Sequence, residues 1–339
     1  MLVSYYIHGK FVKKYSRFKG YTGFMVRGSF GRALRDISCI SMSESCIECK
    51  FYRNCIYAKM FESTSRIRDD VKIAVKSGKS GITKPYTVSQ ILYSNMDGRL
   101  FFKINVFGRE FIENELRIIA AIIRMGDEGV GYDLSLNERR RFMIKSIIAN
   151  DVGFNIKRKV FDYIDGIYFI PPKYVYRNLL DMFSKRALGL IFQKPRKILI
   201  EWRSPFRIIS NGEMVEQPTL DMIIANIARK YSVLAEYYDI GEPLTPEEVY
   251  RMKEALKKYS RLIRYRYRYI SLKKFSIERN TEERLGKFVI GKYLYEVDKG
   301  FWRRAETDLI LKLLILGEYL HVGRLATAGC GEYSIYWQM

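Results

Sequence analysis

Four cysteines, a histidine at the head of a glycine-rich segment, and a row of arginines are the residues whose types and spacing invite chemistry. Cys39, Cys46, Cys49 and Cys55 fall in one stretch, CISMSESCIECKFYRNC. Cys46-x2-Cys49 has metal-ligand spacing, and the outer two thiols could complete a four-thiolate zinc or iron–sulfur site. The outer gaps of six and five residues do not match paired zinc knuckles. Three readings stand: a structural metal, a disulfide of the kind thermophile cells tolerate, or buried thiols, the last two together preferred. His321 opens HVGRLATAGCGEY. An imidazole suits acid–base chemistry near neutral pH, so His321 is the candidate catalytic residue. The alternative for it is a core-edge histidine ending a helix. Gly323, Gly329 and Gly331 permit positive φ and close approach to a ligand, their N–H groups can cradle an anion, and Arg324 adds a fixed charge. By spacing alone, an anion loop and a tight helix-to-strand turn stand level. The segment lacks the Gly-Lys-Ser/Thr ending of a phosphate-binding P-loop.

The third feature is the run Tyr259 to Tyr269, YSRLIRYRYRY. On a strand, Arg264, Arg266 and Arg268 face one way and Tyr265, Tyr267 and Tyr269 the other. Arginines can grip phosphates and tyrosines can stack on bases. The alternative is an edge strand guarded by charge. Three arginines in line repel one another unless an anion compensates, which favours RNA contact. Arg27, Arg32 and Arg35, in FMVRGSFGRALRDIS, add a second basic row. The whole chain agrees: 339 residues carry 59 Lys plus Arg against 37 Asp plus Glu, a net charge of +22, which points to a polyanionic partner. Aromatic residues make up 14%, many of them tyrosines beside Arg or Lys. Scarce Gln and abundant Ile, Lys, Arg and Glu lean toward a thermophilic source. The other histidine, His8, reads as packed or at the surface.

Other chemistries lack their residues. No HExxH, Gly-x-Ser-x-Gly, Rossmann fingerprint or acidic metal motif occurs, so metal-dependent nuclease chemistry and a cofactor are not expected. No apolar run approaches 18 residues, and the start, MLVSYYIHGKFVKKY, alternates like a strand rather than a signal peptide. These features predict a cytoplasmic protein with no membrane partner.

The elements that must position these residues follow from periodicity. Residues 3–12 read as a strand and 24–38 as a helix, with Met25, Phe30, Ala33, Leu34 and Ile37 able to share a face. Gly28 and Gly31 inside that helix imply close approach by a backbone or a phosphate. Residues 62–90 read as a basic loop with an extra hairpin strand near 70–95, 100–108 as a strand, then a helix ending at Gly126 and a strand over 139–150. This order is compatible with a ferredoxin-like β-α-β-β-α-β unit; residues 151–195 carry no clear period. The second half offers a strand broken by Pro205, a helix over 218–238, and a helix opened by Thr245 and Pro246. A strand through RYRYRYISLKKFSI follows, then a strand pair in ERLGKFVIGKYLYEV, an apolar helix before His321, and a last strand, EYSIYW. The prediction is an α+β protein with domains at 1–165, carrying the cysteine insertion, and 166–339, ending in the glycine-rich loop and strand.

Taken together, RGSFGRALRDISC, the Cys46–Phe61 segment, WRSPFRI at 202–208 and GEYLHVGRLATAGCGEYSI resemble the CRISPR-associated repeat-processing endoribonucleases, the sixth Cas family within the RAMP superfamily. The landmarks stretch from residue 24 to residue 335. Ser204 stands where the family's strand more often has threonine. The resemblance implies two tandem ferredoxin-like (RRM-like) domains. It implies binding of the repeat in precursor CRISPR RNA, cut without metal by 2′-hydroxyl attack to give 2′,3′-cyclic phosphate and 5′-hydroxyl ends, in antiviral defence. It also allows a non-catalytic RNA-binding subunit of a CRISPR effector complex, and effector subunits or a second copy of the chain as partners. Many members carry a histidine in or near the first helix; FMVRGSFGRALRDIS has none, which leaves the catalytic residues open.

Overall fold

The computed structural model describes residues 1–18, 20–41, 45–46, 48–62, 82–168, 178–276 and 281–339. The described residues form two compact units, one within 1–168 and one within 178–339.

The first unit runs β1 (Leu2–Phe11), α1 (Gly23–Ser38), α2 (Ile56–Phe61), β2 (Tyr86–Val88), β3 (Leu92–Tyr93), β4 (Arg99–Phe107), α3 (Arg109–Glu113), α4 (Glu115–Glu128), β5 (Val130–Asp133), β6 (Glu138–Arg140), β7 (Phe142–Asp151), β8 (Ile156–Asp162) and β9 (Gly166–Ile167). Its main sheet has the order β2-β4-β1-β7-β8-β9, antiparallel throughout, with β3 also on β4. The first four strands of that order, with α1 and α4 as crossovers, are a ferredoxin-like β-α-β-β-α-β unit. Alternation fixes the faces: Tyr5, Ile7, Phe102, Ile104, Ile147 and Ala149 are wholly buried together with Phe30 of α1 and Ile118 of α4. On α1 the buried stripe is Val26, Phe30, Ala33 and Leu34, while Ile37, expected on the same face, is exposed.

The stretch beyond residue 151 was illegible because its key buried residue is an arginine. Arg158, on β8, is 5% exposed and donates to Glu115 at 2.9 Å and Asp151 at 2.9 and 3.0 Å. Tyr5 also donates to Glu115, at 3.1 Å. A buried guanidinium is tolerated only when its donors are met in this way. The hairpin β5–β6 also had no sequence expectation. Most of the basic loop read over 62–90 lies outside the described residues; what is described there includes β2.

The second unit runs α5 (Ser184–Gln193), β10 (Lys197–Trp202), β11 (Ile208–Ser210), β12 (Glu213–Val215), α6 (Leu220–Tyr238), α7 (Pro246–Tyr259), β13 (Ser260–Ser276), β14 (Thr281–Val297), α8 (Thr307–Leu320) and β15 (Tyr333–Gln338). Its sheet order, β13-β14-β10-β15, repeats the ferredoxin-like order of the first unit. The fold is therefore α+β with tandem ferredoxin-like domains. Thr245 caps α7 in a full capping box with Glu248, and Pro246 takes the first turn. The strand pair expected in ERLGKFVIGKYLYEV is instead one continuous strand, β14, paired along its length with β13. Gly286, at φ +87°, lies beside a bulge where the ladder skips Leu285, so the glycine marks an irregularity and not a turn. Among the described residues no helix is long and apolar enough to cross a membrane.

The glycine-rich segment is docked on the chain that follows β10. Arg324 N–H donates to Arg207 O at 2.9 Å, Gly331 N–H to Pro205 O at 2.9 Å, and Glu332 N–H to Ser204 Oγ at 2.8 Å. A Cβ on Gly323 would stand 2.5 Å from Arg207 O, and one on Gly331 would overlap Val322 O. Both glycines also hold positive φ, +85° and +77°. Gly331→Ala is expected to cost on the order of 3 kcal/mol, lowering Tm by about 10 °C. Gly28→Ala, exposed on α1 with nothing within 4 Å of its Cβ, should raise Tm slightly by removing helix-interior glycine. Thermal melts of the two variants check both signs.

Candidate RNA interface and catalytic residues

The row on β13 is presented as the alternation predicts. Arg264, Arg266 and Arg268 are exposed, and none forms an ion pair among the described residues. Arg266 stands opposite Lys292, whose Nζ pairs with Glu201 at 2.9 Å. Like charges directly opposite on a sheet are unfavourable, and Glu201 compensates Lys292 while Arg266 has no ion pair among the described residues. Apart from Arg261, held by Glu296, β13 also carries Lys273, paired with Glu282. Only residues 292–296 of β14 pair with β10, so much of the hairpin projects past the sheet as a two-stranded ribbon.

The opposite face holds the tyrosines. Tyr267 stacks on Tyr293, with centroids 6.3 Å apart and planes 5° apart, and Tyr265 stacks on Tyr267 at 5.9 Å. Tyr267 donates to Glu216 at 2.8 Å, and a hydrogen bond to the same carboxylate raises the Tyr269 pKa. Tyr265 and Tyr269 remain 47% and 50% exposed. The outer ring edges are thus open while the inner tyrosines anchor the ribbon.

His321 lies elsewhere than its chemistry would need. It caps α8 at φ +57°, its ring is fully buried, and its carbonyl accepts a 2.8 Å hydrogen bond from Lys230 Nζ. An enclosed ring has no surface through which to touch a phosphodiester. The glycines nearby are largely spoken for by packing: Gly323, Gly329 and Gly331 are buried, and their N–H groups go to Asn226, Ala326 and Pro205. Of the glycine-rich segment, Arg324 is exposed and Leu325 to Thr327 half-buried. The turn reading therefore accounts for the glycines, and Arg324 is the residue there that faces outward.

In the first unit, Arg27, Arg32 and Arg35 do not form one free row. Arg32 Nε pairs with Glu128 at 2.6 Å, and Arg35 lies over the Tyr57 ring at 5.9 Å. Arg27 instead accompanies Lys84 and Tyr86. Burial, and then the Arg27 charge, push Lys84 down to about 8. Tyr86 is pushed up to about 12 by burial, with Arg27 opposing. The exposed Gly28 leaves the neighbouring surface of α1 uncovered. Sequence reasoning missed Lys84; it sits at the edge of a basic loop in which no lysine stands out. Gly31, by contrast, meets an internal neighbour, the Phe61 ring. His8 is exposed on β1, 5.0 Å from Phe101. The four clustered cysteines are half-buried thiols, not the buried thiols or disulfide that were preferred.

Two ferredoxin-like units in tandem, the second with an exposed arginine row on its edge strand β13, define a class of basic α+β protein. Residues 200–333 match a family model described as CRISPR-associated endoribonuclease Cas6, and residues 2–166 match a model described as an N-terminal domain. Thermus thermophilus Cas6 superposes with a TM-score of 0.53 at 10% identity, covering 99% of this chain and 98% of that one. A Cas6 product complex gives a TM-score of 0.51 at 10% identity, over 99% and 100% of the two chains. The chain in a partial Cas6-RT-Cas1–Cas2 complex gives 0.55 at 12% identity, over 100% of this chain and 46% of that one. Likeness at such identity concerns the fold. No curated protein matches the sequence. Residues 200–333 carry a Cas6-type family domain, and the fold of the chain is like that of Cas6 structures.

Two measurements follow. Replacing Arg264, Arg266 and Arg268 with alanine should weaken binding of single-stranded RNA and lower the slope of log K against log salt by about 2. Fluorescence anisotropy over a salt series reads both. Lys230 is fully buried, and burial pushes it down to about 7. The unfolded chain holds that proton up to its ordinary pKa, so between about pH 7 and 10 the unfolded state binds more protons. Stability should therefore rise with pH across that window, by about 1 kcal/mol per pH unit. Denaturant melts of Lys230→Met should show that slope removed.

Proposed function

We propose that this protein binds the repeat of precursor CRISPR RNA and cuts it without a metal ion. The 2′-hydroxyl attacks the adjacent phosphorus, the P–O5′ bond breaks, and the ends are a 2′,3′-cyclic phosphate and a 5′-hydroxyl. A base must take the 2′ proton, an acid must supply one to the 5′-oxygen, and cations must stabilise the phosphorane. The observation that carries the reading is the exposed, unpaired arginine row of β13 within the very segment that matches the Cas6 model. Arg264, Arg266, Arg268 and Arg324 bind the backbone, and Tyr265 and Tyr269 offer ring surface to unpaired bases. Lys84 replaces His321 as our candidate base, because its pKa near 8 leaves a useful neutral fraction at physiological pH and Arg27 stands beside it as the stabilising cation.

The enclosure of His321 favours a second reading, a non-catalytic RNA-binding subunit of a CRISPR effector complex. Incubation with repeat RNA in EDTA separates the two. The endoribonuclease reading expects cleavage that a 2′-deoxy at the scissile position abolishes, with a rate that rises through about pH 8 and then levels. Lys84→Met should lose about 10²-fold or more in rate and flatten the profile while binding persists. Tight binding with intact RNA from acid to alkaline pH would instead select the binding subunit. Undiminished cleavage by Lys84→Met would remove that lysine while leaving the reaction in place.

A further inference from the structure

We propose that Cys39, Cys46, Cys49 and Cys55 bind one zinc ion through four thiolates, forming a structural site in the first unit. All four line a single cavity of about 170 Å³, together with Ser41, Phe51 and Arg117 among others. They reach it from different pieces of backbone. Cys39 ends α1, and its N–H donates to Arg35 O at 2.8 Å. Cys46 and Cys49 close one turn, with Cys49 N–H donating to Cys46 O at 3.4 Å. Cys55 follows a short 3₁₀ turn and precedes α2.

The packing of this segment gives the physical reason for an ion. Among the described residues from 39 to 55, not one is buried, and burial resumes only at Ile56. A segment with no apolar core of its own needs another staple, and thiolate–metal bonds supply one. A divalent ion binds thiols as thiolates, so coordination itself displaces their protons. Zinc fits irregular ligand spacing because its filled d shell imposes no geometric preference beyond a closed tetrahedron. Among the described residues no three Cys, His, Asp or Glu side chains stand close enough as they are to share an ion. Binding therefore draws the four thiols inward across their cavity and tightens the segment. This site is independent of the RNA-processing reading.

Elemental analysis of protein purified without added metal, under argon, should find about one zinc per chain, released as an organomercurial titrates the four thiols. Cobalt exchanged into the site should give a thiolate-to-cobalt charge-transfer band. The Cys46→Ser, Cys49→Ser double variant should lose the zinc and the cobalt band, and melt several degrees lower, with its far-UV dichroism retained. If that variant does not fold, mercurial release and cobalt exchange in the wild type still decide. Thiols that all titrate freely with no metal present, a disulfide among the four, iron with acid-labile sulfide, or zinc retained by the double variant would each overturn the assignment.

Discussion

The second unit hangs on four residues after β10. Ser204 to Arg207 receive the glycine-rich turn on one side, through Pro205 O, Arg207 O and Ser204 Oγ. On the other side Phe206 exchanges both backbone hydrogen bonds with Val289, at 2.7 and 2.9 Å, and Arg207 donates to Leu285 O at 2.9 Å. Main chain meets main chain at hydrogen-bonding distance on both flanks, which is why glycine occupies 323 and 331. Trp202 stacks on Phe206 at 3.9 Å and packs against Tyr333 at 5.3 Å, so the same strand end also seats β15. One short segment thus fixes the turn, the last strand and the middle of the long hairpin.

That constraint organises the functional surface. Because Val289 pins the hairpin on one side and β10 pairs with residues 292–296 on the other, Arg264, Arg266 and Arg268, opposite Leu294, Lys292 and Ile290, lie on an anchored edge strand rather than on a loose loop. The tyrosines behind them, tied through Tyr267 and Tyr293 to Glu216, fix which face the arginines occupy. Repulsion along the row is the cost of such an arrangement, and a phosphate backbone relieves it. The same docking that aims Arg324 outward closes over His321. The geometry that turns Arg324 outward keeps the histidine off the surface.

Much of this was legible in the sequence because it is local. The period of α6, the Thr245 cap and Pro246 that open α7, and the Arg/Tyr alternation of β13 are each set by neighbours in the chain. What failed was set by distant partners. His321 is enclosed by a core whose Lys230 lies 91 residues away. Arg158 is buried because Glu115 and Asp151 meet its donors, so hydropathy left β8 unread. The strand pair read in ERLGKFVIGKYLYEV is one strand; Gly286 sits at a bulge, and Gly291 lets the main chain of β13 come close at Arg266 and Tyr267. Arg32 read as a free cation until α4 placed Glu128 against it. Lys84 was invisible because its pKa depends on burial that no local pattern reports.

The most direct test of the central claim is single-turnover incubation of the purified protein with repeat RNA in EDTA, beside the same RNA carrying one 2′-deoxy at the scissile position. Cleavage of the first to a 2′,3′-cyclic phosphate and a 5′-hydroxyl, with the second bound and left whole, is the predicted result. Repeat RNA that is bound yet stays full length, or a 2′-deoxy substrate that is cut as fast as the first, would contradict it.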